Sequence, residues 1–452
     1  MSRPPEAPAP GAASPSVPGA PPDSAAASGP AAAAVPVAPA TPAVPPAPSP
    51  PFASADYAEP GSAAYRRITF ALFLAGFTTF SLLYSVQPLL PLFAAEFHVG
   101  AATSALSLSL ATGFLAFAIL CAGALSESMD RRRLMFASMA MAAVLNLIAS
   151  VVPSWHAMLI ARALEGLVLG GVPAVAMAYL AEEIHPRGLG RAMGQYVGGT
   201  AFGGMMGRVG VSLLSDAFGW RPALFVVSVI GVLAAIGFWF LLPPSRHFVR
   251  RSGVKLSEHV AAWRGHLTHS SLPLLFAMGF LMMGMFVAVY NYAGFRLMKP
   301  PFSLSQSAIG LIFCAYLFGI VASTMAGGLS DRFGRAPALL SGIALAIAGV
   351  LLSLLTWLPA VILGIVLLTI GFFVAHSVSS AWVGALGGRS KGHAASLYLL
   401  AYYIGSSTLG AMGGWFWDHS GWGALVGYAL ALLAIAAATA WTLRTRQPVL
   451  AD

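Results

Sequence analysis

The stretch GGLSDRFGR (327–335) follows a long apolar run, and GALSESMDR (123–131) follows an earlier run with the same internal spacing. A second pair of similar stretches, YVGGTAFGGMMG (196–207) and YIGSSTLGAMGG (403–414), occurs at corresponding places. Two matches in the same order make chance a poor explanation, so the chain contains two related halves. Many membrane transporters are built from such repeats and hold their substrate where the repeats meet.

The composition indicates a protein that lies in lipid. Of the 452 residues, 58% are hydrophobic and 9% are charged, whereas a soluble domain carries about 25% charged residues. Cys121 and Cys314 lie in separate apolar runs and indicate neither a disulfide nor a metal site. The net charge of +9 is spread over short clusters, so we expect no nucleic-acid partner.

Residues 1–64 hold more than half of the 32 prolines and hardly any large apolar side chain. Such a segment cannot bury enough surface to offset its ordering entropy, so we predict a disordered cytoplasmic tail. No basic start leads into an apolar core, and the segment therefore does not resemble a signal peptide.

From Ile68 onward, apolar runs of about twenty residues alternate with short loops, and each run is long enough to cross a bilayer core of about 30 Å. We predict an all-α membrane protein with twelve transmembrane helices in two pseudo-symmetric six-helix bundles. The predicted spans are 68–90, 103–126, 134–152, 157–180, 193–215, 222–242, 272–297, 307–329, 336–357, 359–382, 394–416 and 422–443. The predicted domains are bundles at 65–242 and 272–443, a cytoplasmic linker at 243–271 and a cytoplasmic tail at 444–452.

The basic residues predict the orientation. If the amino terminus is cytoplasmic, eighteen of the 24 Lys and Arg residues lie in inner loops and flanks. The outer loops hold only Arg221, Arg296 and Lys299. Basic loops resist translocation, so this bias predicts that both termini are cytoplasmic.

The linker contains VKLSEHVAAWRGHL (254–267), which is basic and has an apolar face. Two interpretations stay open. It is either an amphipathic segment on the anionic inner leaflet or a solvated connector.

The repeated loop pattern Gly-x-Leu-x-acid-x-x-Gly-Arg places an acid at a helix end beside basic side chains of a tight turn. A charge-assisted pair with a neighbouring helix end would latch one conformation, and a local loop ion pair is the alternative. The candidate gate residues are Gly123, Glu127, Asp130, Arg131, Gly327, Asp331, Arg332, Gly334 and Arg335.

Small residues recur every four positions in the fifth and eleventh spans. A stripe of this kind allows close helix packing. The stripe residues are Gly199, Gly203 and Gly207 in the first half and Ser406, Gly410 and Gly414 in the second.

These features resemble the major facilitator superfamily over residues 65–445. Within it, four stretches are similar to the arabinose-efflux permease branch, which implies a bacterial inner-membrane exporter of small organic molecules. They are AEEIHP (181–186), PLLFAMGFLMMGMFVAVYNYAGFRLM (273–298), FFVAHSVSSAWVG (372–384) and SLYLLAYYIGSSTLGAMGGWFW (396–417).

The sequence departs from the family pattern in both halves. Glu127 stands where the family prefers Asp, and Asp130 stands where it prefers Gly. The fifth span resembles the signature of proton-driven exporters, but Gly204 replaces the usual proline and Arg208 the usual final glycine. The resemblance therefore favours export without establishing it.

Arg162, Glu165 and Arg208 are ionisable residues inside predicted spans, where charge is costly and functional roles are common. Arg162 and Glu165 share a helix face and Arg208 lies at similar depth, so the three could form one cluster. We hypothesise that Glu165 carries the coupling proton, with the arginines keeping it ionised in one state and dehydration or separation favouring its protonated form in the other. A permanently paired structural cluster is the alternative.

The resemblance implies a central cavity lined mainly by spans one, four, seven and ten. Residues able to bind an amphiphilic solute there also fit aromatic belts or ordinary packing, and His376 could instead donate to a backbone carbonyl. The cavity candidates are Tyr84, Gln87, Tyr290, Asn291, His376 and Tyr403.

The sequence therefore predicts proton-coupled efflux of small organic solutes or drugs by alternating access. An uptake symporter of the same fold and a non-transporting membrane sensor are the rivals. The chain has no phosphate-binding Gly-x-x-x-x-Gly-Lys motif, no nucleophile and base at motif spacing and no metal cluster, so we expect neither an enzyme nor a cofactor. The expected partners are the lipid bilayer and a small molecule, and we expect a monomer in the bacterial inner membrane.

Overall fold

The computed structural model describes residues 57–125, 129–247 and 256–445. Within these ranges the chain is helical apart from short loops and one isolated bridge between Ala58 and Ile184. Several predicted features lie outside the described residues. They are Glu127, most of the 1–64 tail, the middle of the 243–271 linker and nearly all of the 444–452 tail.

Twelve long helices cross the molecule in the described ranges, as the sequence predicts. Ten segments are long and apolar enough to span a membrane, one of them holds two helices, and the 33-residue α5 completes the set. This confirms the all-α membrane fold class. The helices are α1 Ala63–Glu96, α2 Ala101–Ala122, α3 Arg131–Val151, α4 Trp155–Glu183, α5 Pro186–Phe218, α6 Trp220–Leu241, α7 Leu272–Leu297, α8 Gln306–Phe333, α9 Arg335–Leu352 and α10 Leu358–Leu386, with α11 and α12 sharing Lys391–Thr445.

The repeat in the sequence reappears in the backbone. Gly421 (φ 69°) divides α11 from α12, and Gly219 (φ 84°) divides α5 from α6 at the corresponding place of the first half. Residues with a side chain rarely adopt such positive φ values, which explains why glycine occupies both turns. We call the end of the molecule with Asp130 and Gly334 the motif end, and the end with these two turns the opposite end.

Two helices of the first half are interrupted where the sequence places proline or glycine. The regular part of α1 ends at Tyr84 and continues through a 3₁₀ turn at Gln87–Leu89, which contains Pro88. In α4, Gly170 separates two helical segments, and Pro173 lies in the first turn of the second. Proline lacks an amide donor and clashes with the preceding turn, so it fits only at these helix starts.

α1 packs on α5 along the predicted stripe of small residues. A Cβ atom at Gly199 would lie 2.5 Å from the carbonyl oxygen of Phe73, and one at Gly207 would lie 2.5 Å from that of Ser81. Gly203 lies between them and is equally close to the α1 backbone. No side chain fits in this contact, so the two backbones touch directly.

The stripe on α11 makes different contacts. Gly410 faces Val287 on α7, and Gly405, which precedes the stripe residue Ser406, faces the α7 backbone at Phe280. Gly414 lies against Ala102 of α2, which belongs to the other half. The two halves meet through α2 with α11 and through α5 with α8.

The outward faces of these helices expose large apolar side chains, which lipid covers at no cost. Examples are Phe117, Leu233, Phe240, Met325 and Trp441, each more than half exposed.

The linker contains a helix at Leu256–Leu267, which we call the linker helix. Its His259 lies 2.9 Å from His393 (Nδ1 to Nε2), and its His266 lies 3.1 Å from the carbonyl oxygen of Ser390. Both linker histidines are buried. The helix therefore packs on the start of α11 through these two histidines, a contact that neither sequence interpretation includes.

Candidate functional site

Arg162 and Glu165 of α4 form a buried ion pair. The Arg162 Nη1 donates to Glu165 Oε2 over 2.5 Å, and neither side chain is exposed. Arg162 also donates to the carbonyl oxygens of Leu83 (2.6 Å) and Ser107 (3.1 Å) and to the side-chain oxygen of Asn146 (3.4 Å). The guanidinium therefore ties α4 to α1, α2 and α3.

The carboxylate of Glu165 makes fewer hydrogen bonds than the guanidinium of Arg162. Its second oxygen, Oε1, is buried and has no hydrogen-bond partner among the described residues. Burying an acceptor without a partner is costly, so this oxygen is the unsatisfied atom of the ion pair.

Arg208 of α5 lies apart from this pair. Its Nε donates to Gln87 Oε1 and its Nη1 donates to the carbonyl oxygen of Gly204, both over 2.6 Å. The guanidinium lies 4.0 Å from the ring centre of Tyr84 and 4.9 Å from that of Tyr316. The three-residue cluster considered from sequence is thus a pair, because Gln87 and aromatic rings hold Arg208 elsewhere.

Gln87 joins the two halves. While its oxygen accepts from Arg208, its amide nitrogen donates to Asn291 Oδ1 of α7 over 2.7 Å. At the next residue of α1, the Gln306 amide of α8 donates to the carbonyl oxygen of Pro88 over 2.8 Å. These buried bonds connect the break in α1 to the second half.

Further contacts join the halves on the same side of the molecule. The Ser407 hydroxyl donates to the carbonyl oxygen of Ser109 over 2.6 Å. The amide of Ala102 donates to Asp418 over 3.2 Å at the very edge. The opposite end is therefore closed.

A cavity of about 480 Å³ lies between the halves in the middle of the molecule. Helices α1, α2, α4, α5, α7, α8, α10 and α11 contribute to its wall, which includes nine Phe and Tyr side chains. Arg208 is the one permanently charged side chain among the described residues that line it. The size fits a small organic molecule.

A second cavity of about 650 Å³ adjoins the first at the motif end. It is lined by Arg131, Lys391 and Trp263 among others. The two cavities share four lining residues, Ile119, Pro173, Met177 and Leu399, so they adjoin each other. The structure is open toward the motif end.

The chain also matches known proteins. The sequence model of the Major Facilitator Superfamily matches residues 70–299. YybF, an MFS-type transporter of Bacillus subtilis, is 43% identical over 84% of this chain and 94% of its own length. The chain belongs to the major facilitator superfamily. It is therefore a multi-pass membrane transporter and not an enzyme.

Other relatives agree with this membership. YnfM, an inner membrane transport protein of Escherichia coli, is 41% identical over 84% of this chain and 91% of its own length. A bacterial homologue of the human lysosomal transporter Spinster, solved in an inward-facing and unoccupied conformation, superposes with a TM-score of 0.70. That match has 16% identity and covers 86% of this chain and all of the other. The nucleoside transporter NupG gives 0.69 at 13% identity, covering 84% of this chain and 99% of its own. These structural matches show the fold.

The predicted cavity residues of this facilitator fall into two groups. Tyr84, His376 and Tyr403 line the central cavity. His376 bonds the Tyr398 hydroxyl over 3.0 Å, not a backbone carbonyl. The other three candidates, Gln87, Tyr290 and Asn291, lie toward the closed end, where the Tyr290 hydroxyl bonds Thr369 over 2.7 Å.

The first copy of the loop pattern forms its turn with Asp130 in place of the usual glycine. Asp130 caps α3 by accepting from the amide of Arg133 over 2.8 Å, which replaces a glycine turn with an N-cap. Arg131 pairs with Glu182 of α4 over 2.6 Å, within the same half. The helix that contains Gly123 continues beyond this residue to Leu125, so Gly123 does not mark a turn.

The second copy keeps the glycine. Gly334 turns the chain between α8 and α9 at φ 86°, and Gly327 faces open space. Asp331 and Arg332 are exposed, and Arg335 stacks near the Trp382 ring at 5.9 Å. Within the described part of the chain Asp331 makes no hydrogen bond or ion pair with the first half, which agrees with an open motif end.

Two tyrosines are among the residues of the cavity wall that sequence reasoning missed. Tyr316 of α8 stacks on Arg208, and Tyr402 of α11 lies 4.8 Å from the His376 ring. Both are tyrosines inside apolar runs, which is the signal that could have found them. The family expectation of spans one, four, seven and ten drew attention away from α8, and on α11 only Tyr403 was named.

Proposed function

We propose that this facilitator exports small organic solutes or drugs in exchange for protons by alternating access. The bundles 65–242 and 272–443 rock about the central cavity. The site residues, the bundle boundaries and the direction of transport are all part of the proposal.

The observation that carries it is Glu165. This carboxylate is completely buried at membrane depth, with one oxygen on Arg162 and the other without a partner. A buried carboxylate of this kind is stable either as half of an ion pair or in protonated form, and a proton-driven cycle requires two such states. Glu165 is therefore our proton carrier, and Arg162 is the group that stabilises its ionised state.

The ion pair is connected to the cavity through α1. Arg162 bonds the carbonyl oxygen of Leu83, and the next residue, Tyr84, stacks on Arg208 in the cavity wall. A shift of Arg162 on protonation of Glu165 would move this end of α1. Movement at the α1 break would couple the protonation state of Glu165 to the binding site.

We place the motif end in the cytoplasm because the basic loops lie there and basic loops resist translocation. The structure is then inward-open, with both termini on the cytoplasmic side of the bacterial inner membrane. Asp331 and its basic neighbours would latch this end when the halves close over it.

The resemblance of the fifth span to proton-driven exporters supports export. An uptake symporter would move substrate and protons in the same direction, whereas the proposed exporter moves them in opposite directions. A sensor would bind its ligand without moving it.

Alternating access predicts that Asn291→Ala favours opening of the opposite end. The variant removes the bond from Gln87 across the halves, and a neutral buried hydrogen bond contributes about 0.5–1.5 kcal/mol, so the open population should rise about 2- to 10-fold. Spin labels at Phe218→Cys and Leu311→Cys, both exposed, report the separation of α5 and α8 in a Cys121→Ser, Cys314→Ser background.

Tyr290→Phe is the matched control. It removes a bond to Thr369, which lies in the same half, so the distance distribution should stay as in the parent. An unchanged distribution in Asn291→Ala, or an equal shift in both variants, would contradict the role of the Gln87 bridge.

A further inference from the structure

Arg208 is a buried cation that has no acidic partner among the described residues. Its contacts are the Gln87 amide, the Gly204 carbonyl and the rings of Tyr84, Phe313 and Tyr316, all of which are neutral. Arg162, at similar depth, has Glu165 as its counter-ion. A charge in a medium of low dielectric is costly when it is not neutralised, so binding of an anion beside Arg208 would be favourable.

The rest of the cavity supplies no negative charge. Among the described residues that line it there is no Asp or Glu, and Glu165 is not one of them. A cationic solute would therefore meet the field of Arg208 without any compensating group. An anion would neutralise it, and a guanidinium can hold a carboxylate by two parallel hydrogen bonds.

The wall beside Arg208 suits a flat apolar body. Tyr84, Tyr316, Phe372 and Tyr402 surround a space of about 480 Å³, which is enough for a fused-ring molecule. Ring faces of this kind stack on aromatic ligands. The cavity wall next to the Arg208 guanidinium is therefore apolar.

Hydroxyl groups on α11 add donors. Tyr402 and Tyr403 both line the cavity, and their hydroxyls make no hydrogen bond within the described part of the chain. Such donors can bind the oxygens of an anionic or polar substituent.

We propose that the central cavity selects small aromatic organic anions, with Arg208 binding the carboxylate or an equivalent acidic group. This inference rests on the proposed function, since it names the substrate class for the same cavity. It makes Arg208 a specificity-determining residue and assigns it no part in carrying the proton.

Three probes with one ring system test the charge preference. Calorimetric titration of the purified full-length chain in detergent compares 2-naphthoate, 2-naphthamide and 2-naphthylmethylamine. Hydrogen bonds to charged groups contribute about 1.5–3 kcal/mol, so the naphthoate should bind about 10-fold or more tightly than the amide, and the amine more weakly still.

Two arginine variants complete the experiment. In Arg208→Gln the preference for naphthoate over naphthamide should fall to within about 3-fold, which corresponds to less than 1 kcal/mol. In Arg221→Gln it should persist, because Arg221 pairs with Glu96 at the opposite end, outside the cavity.

The inference fails if the wild type binds the amide or the amine as tightly as naphthoate, or binds no naphthoate. It also fails if folded Arg208→Gln keeps the full preference. Should Arg208→Gln not fold, the wild-type ranking decides. Binding in detergent needs no gradient and no direction of transport, so a failure of proton-coupled export would leave this result intact, and the converse also holds.

Discussion

Replacing Glu165 with Gln is expected to abolish uphill transport while leaving the protein folded. Under about 100 mV, one inward proton supplies about 2.3 kcal/mol, which multiplies the concentration ratio that the substrate can reach by about 50. Gln keeps an oxygen for Arg162 but cannot exchange a proton, so this contribution of about 50-fold should be lost. Downhill substrate exchange in proteoliposomes should continue.

Glu96→Gln is the matched control for this variant. Glu96 also pairs with an arginine, Arg221, but the pair lies at the surface of the opposite end. Its loss should leave the concentration ratio near the wild-type value. Uphill transport that persists in Glu165→Gln would assign the buried pair a purely structural role.

Gly203→Ala is expected to prevent or severely weaken folding. The added Cβ would lie 2.5 Å from the Cα atom and 2.7 Å from the carbonyl carbon of Phe77, so α1 and α5 would have to separate. Forced overpacking costs about 1–3 kcal/mol even where side chains can adjust, and here the obstacle is backbone. Thermal unfolding in detergent, followed by size-exclusion chromatography, measures the effect.

Gly198→Ala on the same helix provides the comparison. A Cβ atom at Gly198 has open space within 4 Å, and alanine favours helix over glycine by up to about 1 kcal/mol. This variant should be as stable as the wild type or more so. Equal stability of the two variants would contradict the close contact of α1 with α5.

Much of the fold follows from two sequence features, the apolar runs and the repeated loop. Both depend on local chain properties, and so the spans could be predicted helix by helix. The breaks in α1 and α4 also have local causes, at Pro88 and Pro173. The packing of the linker helix could not be predicted, because it depends on His393 and Ser390 far along the chain.

The site was less predictable than the fold. The spacing of Arg162 and Glu165 places them on one helix face, and they do pair. The predicted depth of Arg208 in the membrane does not show that its side chain bonds Gln87, because tertiary contacts with α1 and α8 determine its orientation. The role of Gln87 as a bridge between halves likewise needs both partners in place.

The loop motifs illustrate the same limit. Asp130 stands where the family pattern has glycine, and in the structure its side chain caps α3. The sequence contained that information, since Asp is a favoured N-cap residue, but the family pattern directed attention to the missing glycine.

The most direct test of the account is proton movement in energised inside-out vesicles, with wild type and Glu165→Gln compared across aromatic carboxylates, aromatic amines and sugars. Vesicles without the transporter give the background. We expect a substrate to release protons from the acidic lumen in the wild type and not in the variant. Substrate-driven proton entry into the lumen, or equal release in both proteins, would contradict proton-coupled export through Glu165.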